Sequence, residues 1–291
     1  MTSLADRVVV ITGAGRGIGR EYALLAAREG ASVVVNDTGV DADGRNGDPS
    51  VAQAVADEIT ASGGTAVAHT ADIATVAGAV ELLELARSTF GAVHGLVNNA
   101  GILRDRMFVN MSEDDWNVVV RGQLGATFAP SQVFARYWRD ESKAGRQPAA
   151  SVVNVSSTSG LVGAVGQTNY GAAKAGIAAL TLILAQELAR YGVRINALTP
   201  VARTRMTQDV PGIGELLAAP EDPGAFDVYH PGNVPPLVAW LLTEACPANG
   251  QVFYVKGGEI RQFTGWSYGW TVDKRDRWTV AELDEELRTR V

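Results

Sequence analysis

The sequence lacks the features that would identify several large classes of protein. Its 291 residues include one cysteine, Cys246, so no disulfide can form within the chain and a reducing, cytoplasmic setting is expected. The three histidines, His69, His94 and His230, are not spaced as metal ligands, so no metal site is predicted. No run of about 18 apolar residues and no apolar N-terminal segment is present, which predicts neither a membrane span nor a signal peptide.

Concentrated positive charge is also missing. The chain carries 25 lysines and arginines against 32 aspartates and glutamates, and its formal net charge is −7. Because nucleic acids and anionic membranes bind through clustered positive charge, neither is expected as the main partner. The hydrophobic share of 46% suffices for a globular domain with a buried core.

Short β-branched runs alternate with longer helical patterns, which is typical of βαβ units in a parallel sheet. The runs predict strands at 8–11, 32–35, 66–68, 95–97, 151–155, 193–197 and 251–255. Helices are predicted at about 18–29, 51–61, 75–89, 113–142 and 168–191. Pro130 lies inside the fourth helical pattern and predicts a bend or break nearby.

This order of elements predicts a single doubly wound Rossmann-type α/β domain over residues 1–262, with about seven mostly parallel strands and helices on both faces. The polar, glycine-rich segment 38–50 is expected to be a surface loop after the second strand. The segment 203–236 holds six prolines and four glycines and is expected to be a substrate loop or lid. The extension 263–291 contains Trp266, Trp270, Trp278 and a charged helical pattern at 279–289, and we expect it to pack on the body or on a partner subunit.

A glycine-rich turn, T-G-A-G-R-G-I-G, follows the first predicted strand and contains Gly13, Gly17 and Gly19. Glycines let a backbone approach a pyrophosphate, and the helix beginning near Ile18 offers free N–H groups and a positive dipole end. The spacing differs from the usual G-x-G-x-x-G, and glycines required only for a tight turn are the alternative. The position between strand and helix favours a dinucleotide site.

The end of the second strand bears on the choice of dinucleotide. Asp37 lies 18 residues after Gly19, where a carboxylate can accept hydrogen bonds from the ribose hydroxyls of NAD and would repel the 2′-phosphate of NADP. Arg16 in the glycine turn has the opposite tendency, because a guanidinium can pair with that phosphate. The carboxylate stands where the phosphate would lie, so NAD is predicted and NADP is the alternative.

Two further loops are expected to contact the cofactor. Asp72 and Ile73 follow the third strand, where Asp72 either accepts a hydrogen bond from the adenine amino group or caps the helix beginning near Thr75. The sequence N-N-A-G after the fourth strand includes Asn99, Ala100 and Gly101. Small residues there suit a loop that passes close to a nucleotide, although an ordinary turn explains this loop equally well when it is taken alone.

The residues Ser157, Tyr170 and Lys174 suggest acid/base chemistry on an alcohol or ketone. Tyr170 and Lys174 are four residues apart, so on a helix they share a face. A neighbouring ammonium favours the tyrosinate and is expected to lower the pKa of Tyr170 toward neutrality. The Ser157 hydroxyl would then hold the substrate oxygen while Tyr170 transfers the proton.

These motifs together resemble the classical short-chain dehydrogenase/reductase family. The matching segments are T-G-A-G-R-G-I-G, N-N-A-G, S-S at 156–157, Y-G-A-A-K and N-A-L-T-P at 196–200. The resemblance implies hydride transfer with NAD(P), a catalytic core of Ser157, Tyr170 and Lys174, and a bond from Lys174 to the nicotinamide ribose. A homotetramer or dimer is also implied.

A finer resemblance is to the (3R)-hydroxyacyl-CoA dehydrogenase units of peroxisomal-type multifunctional enzymes and their stand-alone bacterial relatives. It depends on V-V-V-N-D before the long glycine-rich loop, P-V-A-R-T-R-M-T at 200–207 and W-T-V-A-E-L near the C-terminus. By this resemblance, Pro200 and Thr204 would contact the nicotinamide end of the cofactor. Gln123 stands where the family usually has an asparagine of a proton relay to the lysine, so a modified relay is expected.

The resemblance implies an oxidoreductase of small molecules, with a 3-hydroxyacyl-CoA or another bulky apolar alcohol as the expected substrate. A steroid dehydrogenase and an inactive NAD-binding regulator are the alternatives. The predicted pocket lining is apolar and comprises Val162, Val165, Met206, Leu216 and Phe226 within or beside the segments 160–167 and 203–236. Arg104, Arg203 and Arg205 are the candidates for contact with a CoA phosphate, with simple solvation as the alternative.

Overall fold

The fold is organised by one sheet of eight strands in the computed structural model, which describes residues 3–204, 213–222, 224–265 and 267–290. The strands are β1 (Val8–Thr12), β2 (Ser32–Asn36), β3 (Thr65–His69), β4 (Gly95–Asn98), β5 (Ala150–Val155), β6 (Val193–Val201), β7 (Val252–Lys256) and β8 (Glu259–Gln262). Their order is β3-β2-β1-β4-β5-β6-β7-β8. All pairings are parallel except β7 with β8, which is antiparallel.

Helices cover both faces of the sheet, as the continuous apolar strands predict. Neighbouring residues of β1 belong to different cores, since Val9 and Ile11 pack in one cluster and Val8 and Val10 in the other. The helices are α1 (Gly17–Arg28), α2 (Ser50–Ala61), α3 (Val76–Phe90), α4 (Glu113–Val120), α5 (Ala126–Lys143), α6 (Thr158–Leu161), α7 (Thr168–Leu188), α8 (Ile213–Leu216), α9 (Pro235–Leu242) and α10 (Val280–Leu287). The doubly wound α/β prediction is confirmed.

The fourth predicted helix is interrupted, as Pro130 suggested, although the irregular turn lies before the proline. A π-helical segment, Arg121–Gly125, separates α4 from α5, and Pro130 lies buried inside α5. A proline has no N–H to bond the carbonyl four residues earlier, which here belongs to Ala126. The regular hydrogen-bond pattern is therefore already open at the first residue of α5.

The elements that the sequence patterns missed include β8, α9 and the single-turn helices α6 and α8. Strand β8 follows Gly257 and Gly258, a two-residue hairpin turn in which Gly257 has a φ of +54°. Helix α9 begins with two prolines, Pro235 and Pro236, which were assigned to the end of the predicted loop 203–236. Proline is favoured in the first turn of a helix because its missing N–H has no intrahelical partner there.

The longest helix, α7, continues through a 3₁₀ turn to Tyr191 and is apolar enough to cross a bilayer by length and composition alone. Its residues nevertheless include the buried polar side chains Asn169, Lys174 and Thr181. The helix packs against β5 and β6. These contacts explain its apolar composition as that of a helix covering a sheet.

The C-terminal extension contains the predicted charged helix, observed as α10 with a capping box between Thr279 and Glu282. Tyr268, Trp270 and Val280 are exposed in this extension, while Lys274 lies over the Trp278 ring at 5.2 Å. Trp266 lies outside the described residues. Packing of the extension on a partner subunit stays a prediction.

Candidate active site

The residues predicted to contact a cofactor lie at the carboxyl ends of β1, β2, β4 and β6. From β1 to β3 the strands are added toward one side of the sheet, and from β4 to β8 they are added toward the other side. The direction of strand addition therefore reverses between β1 and β4. Open α/β sheets bind ligands in the crevice outside such a switch point. The fold therefore brings Gly13, Asp37, Asn99 and Pro200 to one edge, as the motifs predict.

The backbone of the glycine turn packs so closely against its neighbours that side chains would clash at Gly13 and Gly19. Because the turn has no side chains there, a ligand can approach its backbone. A Cβ added at Gly19 would lie 2.0 Å from the carbonyl oxygen of Gly13, and one added at Gly13 would lie 2.7 Å from the Cα of Ala100. Helix α1 begins at Gly17, and the side chain of its N-cap residue, Arg16, makes no capping hydrogen bond. The first-turn N–H groups near Ile18 thus suit an anion, which fits the pyrophosphate of a dinucleotide.

A clamp between β1 and β4 shapes this turn and was not identified from the sequence. The Thr12 hydroxyl accepts hydrogen bonds from the backbone N–H groups of Asn99 (3.0 Å) and Ala100 (3.1 Å). The Asn99 amide donates to the carbonyl oxygens of Thr12 (3.0 Å) and Gly13 (2.9 Å). Asn99 therefore holds the glycine turn in place, and the adjacency of these two loops becomes visible only when β1 and β4 are paired.

Asp37 and Arg16 lie together at the end of β2. The Asp37 carboxylate accepts from the backbone N–H groups of Gly15 (2.9 Å) and Gly39 (2.7 Å). The Arg16 guanidinium donates to the carbonyl oxygens of Gly39 and Val40, each at 3.4 Å. The carboxylate is thus fixed against the glycine turn, while the guanidinium is held on the loop that follows it.

Asp72 does not cap a helix, so that alternative is wrong. Thr75 is the N-cap of α3 and accepts from the N–H of Gly78, whereas Asp72 accepts from the N–H of Ala74 and pairs with Arg121. A threonine three residues further along had the better position, because it directly precedes the first helical residue. Ile73 is buried in one of the two cores, which leaves its backbone as the part that could contact a ligand.

Ser157, Tyr170 and Lys174 come together where β5 ends and α7 begins. The Ser157 side chain is near enough to the Tyr170 phenol to lower its pKa, and the Lys174 Nζ lies 5.5 Å from the centre of the Tyr170 ring. The buried Lys174 ammonium donates to the carbonyl oxygen of Val155 at 2.7 Å. The arrangement therefore places a hydroxyl pair beside a buried amine.

Burial dominates the protonation of this group, which corrects the expectation for Tyr170. Burial raises the pKa of Tyr170 to about 12, against a lowering effect from the Ser157 hydrogen bond and a further raising effect from the charge of Asp105. Burial also lowers the pKa of Lys174 to about 7, because an ammonium is costly in a poorly solvated site. A partly neutral lysine attracts the tyrosinate less than the sequence argument assumed.

We expect the free energy of unfolding of the unsubstituted protein to rise from about pH 7 to about pH 9 relative to that of Lys174→Met. The folded-state pKa of Lys174 is about 7 and its ordinary value is 10.5, so the unfolded chain binds more protons in this window. Stability rises with pH wherever the unfolded state binds more protons, and this contribution is lost as pH falls through the folded pKa. Urea unfolding of both proteins across the window measures the difference, and a difference independent of pH would contradict the prediction.

Gln123 supports the loop after β4. Its amide donates to the carbonyl oxygen of Ile102 at 2.7 Å, and a Cβ added at Gly101 would lie 2.4 Å from its Oε1. That Oε1 is buried and has no hydrogen-bond partner among the described residues. The hydrogen bonds of Gln123 in the described part of the chain do not include Lys174, so its part in a proton relay stays a prediction.

Two of the predicted site residues after β6, Arg203 and Thr204, have contacts in the structure. The Thr204 side chain lies near the glycine turn, since a Cβ added at Gly17 would be 3.8 Å from its Cγ2. Arg203 pairs with Asp227 and donates to the carbonyl oxygen of Leu217 at 2.8 Å. Arg203 is therefore engaged by Leu217 and Asp227 within the chain, which argues against the proposed contact with a CoA phosphate.

Arg104 and four of the five predicted pocket residues lie in the described part of the chain. Arg104 pairs with Asp114 at 2.7 Å and donates to the carbonyl oxygen of Asp43 at 3.1 Å, so it too is engaged within the chain. Arg205 and Met206 lie outside the described residues. Four of the predicted lining residues are largely exposed instead of enclosing a cavity, namely Val162, Val165, Leu216 and Phe226. Exposed Met107, Phe108 and Val109 form a further apolar stretch that the sequence analysis did not select.

Comparison with known proteins finds matches over most of the chain. A family model described as short chain dehydrogenase matches residues 7–211. A protein of Mycobacterium tuberculosis with a short-chain type dehydrogenase/reductase name is 45% identical over 262 residues, covering 90% of this chain and 86% of the relative. The hydroxyacyl-CoA dehydrogenase ChsB1 of the same organism is 45% identical over 263 residues, covering 89% of this chain and 80% of the relative.

A solved structure is also similar over almost the whole chain. The crystal structure of a short chain dehydrogenase from Mycobacterium avium has a TM-score of 0.87 and 46% sequence identity, and the match covers 99% of this chain and 95% of that one. Peroxisomal multifunctional enzyme type 2 of Mus musculus is 41% identical over 254 residues, but this chain covers 32% of its length. The match therefore concerns one part of that larger enzyme.

Proposed function

This chain belongs to the short-chain dehydrogenase family, and we propose that it interconverts a secondary alcohol and a ketone with NAD. The observation that carries the proposal is the meeting of Ser157, Tyr170 and Lys174 at the carboxyl edge of the sheet, the same edge at which the glycine turn follows β1. Fold alone would not suffice, because one fold hosts many activities. An inactive NAD-binding regulator would have no need to keep these three side chains in contact.

In the proposed oxidation, the Ser157 hydroxyl holds the substrate oxygen and Tyr170 accepts its proton. The cofactor, when bound, supplies the hydride acceptor and a positive charge. That charge, and Lys174 in its protonated form, would both oppose the effect of burial on the pKa of Tyr170. The glycine turn, the clamp formed by Thr12 and Asn99, and the Asp37 carboxylate are the residues that would hold the dinucleotide.

We propose NAD as the preferred dinucleotide because of Asp37. Its carboxylate is anchored by two backbone N–H groups, so it cannot turn away from a 2′-phosphate without losing both hydrogen bonds. Arg16 is held at longer distances by two carbonyl oxygens and is the weaker determinant. The expected substrate is a 3-hydroxyacyl-CoA or another bulky apolar alcohol, in keeping with the name of the hydroxyacyl-CoA dehydrogenase relative.

An activity screen tests this proposal directly. We expect the protein to reduce NAD⁺ in the presence of at least one member of a 3-hydroxyacyl-CoA panel, with a kcat/KM at least about tenfold higher than for any hydroxysteroid and for the same reaction with NADP⁺. A preference for hydroxysteroids would select the alternative substrate class. Binding of NAD without oxidation of any alcohol on either panel would favour the inactive regulator.

The same preparation tests the remaining expectation from the family. We propose that the protein is a homo-oligomer, a tetramer or a dimer, and light scattering of the purified chain measures its mass in solution. A monomer would leave the C-terminal extension without a partner subunit and would contradict that part of the proposal.

A further inference from the structure

A chain of hydrogen bonds leads away from Ser157 to a carboxylate that the proposed mechanism does not use. The N–H of Ser159 donates to the Ser157 Oγ at 3.2 Å, and the Ser159 hydroxyl donates to the Oε1 of Gln167 at 2.7 Å. The Nε2 of Gln167 donates to the Oδ2 of Asp105 at 2.7 Å. The chain thus joins α6, the turn before α7 and the loop after β4.

The backbone reinforces the same connection. The N–H of Arg106 donates to the carbonyl oxygen of Gly166 at 2.9 Å, and Arg106 and Gln167 form an isolated parallel bridge. Asp105 therefore cannot move independently of the segment that carries Tyr170. A carboxylate distant in sequence is fixed at the reaction site.

The charge of Asp105 is poorly compensated. Its second oxygen, Oδ1, is buried and has no hydrogen-bond partner within the described ranges. The neighbouring arginines are engaged elsewhere, because Arg104 pairs with Asp114 and the Arg106 guanidinium donates to the backbone carbonyl oxygen of Asp105. A buried carboxylate oxygen without a donor is costly, so a structural purpose alone explains it poorly.

We propose that Asp105 is a positioning residue of the alcohol site, which fixes the Ser157 hydroxyl through Gln167 and Ser159 and acts on the Tyr170 phenol through its negative charge. The inference rests on the proposed function, since it assigns a purpose to a group outside the Ser157, Tyr170 and Lys174 set. It adds a second charged influence on the phenol, opposite in sign to that of Lys174.

The negative charge of Asp105 changes the pKa of Tyr170 in one direction. Among the described residues, the charged or titratable groups recorded against the phenol are Lys174, 5.5 Å from the ring centre, and Asp105. Asp105 raises the pKa of Tyr170 and so favours its protonated form, which donates a proton to a ketone. Arg104 and Arg106 adjoin Asp105 in the sequence, and they are held by Asp114 and by the backbone carbonyl of Asp105 respectively.

Replacing Asp105 by Asn tests the inference, because the amide oxygen can still accept from Gln167 while the charge is lost. With NAD⁺ and an alcohol substrate, we consider the plot of kcat/KM for oxidation against pH. Its rising limb should move to lower pH by at least about 0.3 pH units, which is the shift produced by a twofold change in the acid dissociation constant of Tyr170. The falling limb for ketone reduction with NADH should move in the same direction. Glu113→Gln, the loss of an exposed carboxylate eight residues further along, is the matched control and should move neither limb.

Different outcomes separate this inference from the proposed function. Unchanged limbs in Asp105→Asn, or a lower rate at every pH without a shift, would overturn the inference while the proposed function stands. If no alcohol is oxidised by the unsubstituted protein, the tyrosinate absorbance of Asp105→Asn, minus that of the same variant carrying Tyr170→Phe, still reports the titration of Tyr170. A titration at lower pH than in the protein with Asp105 would support the inference, and an identical titration would overturn it.

Discussion

Tyr170→Phe is expected to lower kcat for alcohol oxidation by at least about 10³-fold, within the range found for the loss of a general acid or base. The substitution removes one oxygen and keeps the ring that packs near Lys174. It also removes the hydroxyl that neighbours Ser157, so the substrate oxygen would meet one hydroxyl instead of two. NAD affinity should change by less than about twofold, since the glycine turn and Asp37 are untouched.

Steady-state kinetics and calorimetric titration with NAD measure the two effects separately. Tyr268→Phe removes the same atom from a fully exposed ring and serves as the control, with unchanged kinetics expected. If Tyr170→Phe kept its turnover, the assignment of the proton transfer to Tyr170 would be wrong. If it lost NAD binding as well, the defect would lie in folding or in the cofactor site.

Gly19→Ala is the second substitution for which we expect a large effect. The new Cβ would lie 2.0 Å from the Gly13 carbonyl oxygen and 2.5 Å from the Asn99 Nδ2, and the clamp between β1 and β4 limits how far either can move. Overpacking of this kind costs about 1–3 kcal/mol in the free energy of unfolding. NAD affinity should fall by at least about tenfold, because the same shift moves the backbone that would face the pyrophosphate.

Thermal unfolding and NAD titration measure these two changes. Gly258→Ala is the matched control, because no atom of the described residues other than its chain neighbours lies within 4 Å of its added Cβ, and its φ is not in the left-handed region. The control should unfold and bind NAD as the unsubstituted protein does. Normal stability and normal NAD affinity in Gly19→Ala would show that the turn yields more easily than its contacts indicate.

Local patterns in the sequence were sufficient for most of the fold. All seven predicted strands are present within two residues at their starts, because a strand buried on both faces must be a continuous apolar run. Strand β8 was missed although its Gly257-Gly258 turn is a hairpin signal, since its residues are exposed and lack an apolar run. Helix α9 was missed because prolines mark a first helical turn as readily as a loop.

The sequence by itself determined the proposed chemistry. Tyr170 and Lys174 share a helix face at any burial, and the glycine turn needs only its place between β1 and α1 to suggest a dinucleotide. Both inferences depend only on neighbours along the chain, which is why the sequence is sufficient to make them.

The tertiary structure decided which polar groups meet and how they are solvated. The clamp of Thr12 with Asn99 joins residues 87 apart, and the contact of Gln167 with Asp105 joins residues 62 apart. Burial depends on everything packed around a group, so it reversed the expected direction for the pKa of Tyr170. Spacing selects the residues that can react, whereas desolvation and long-range contacts set the charge that they carry.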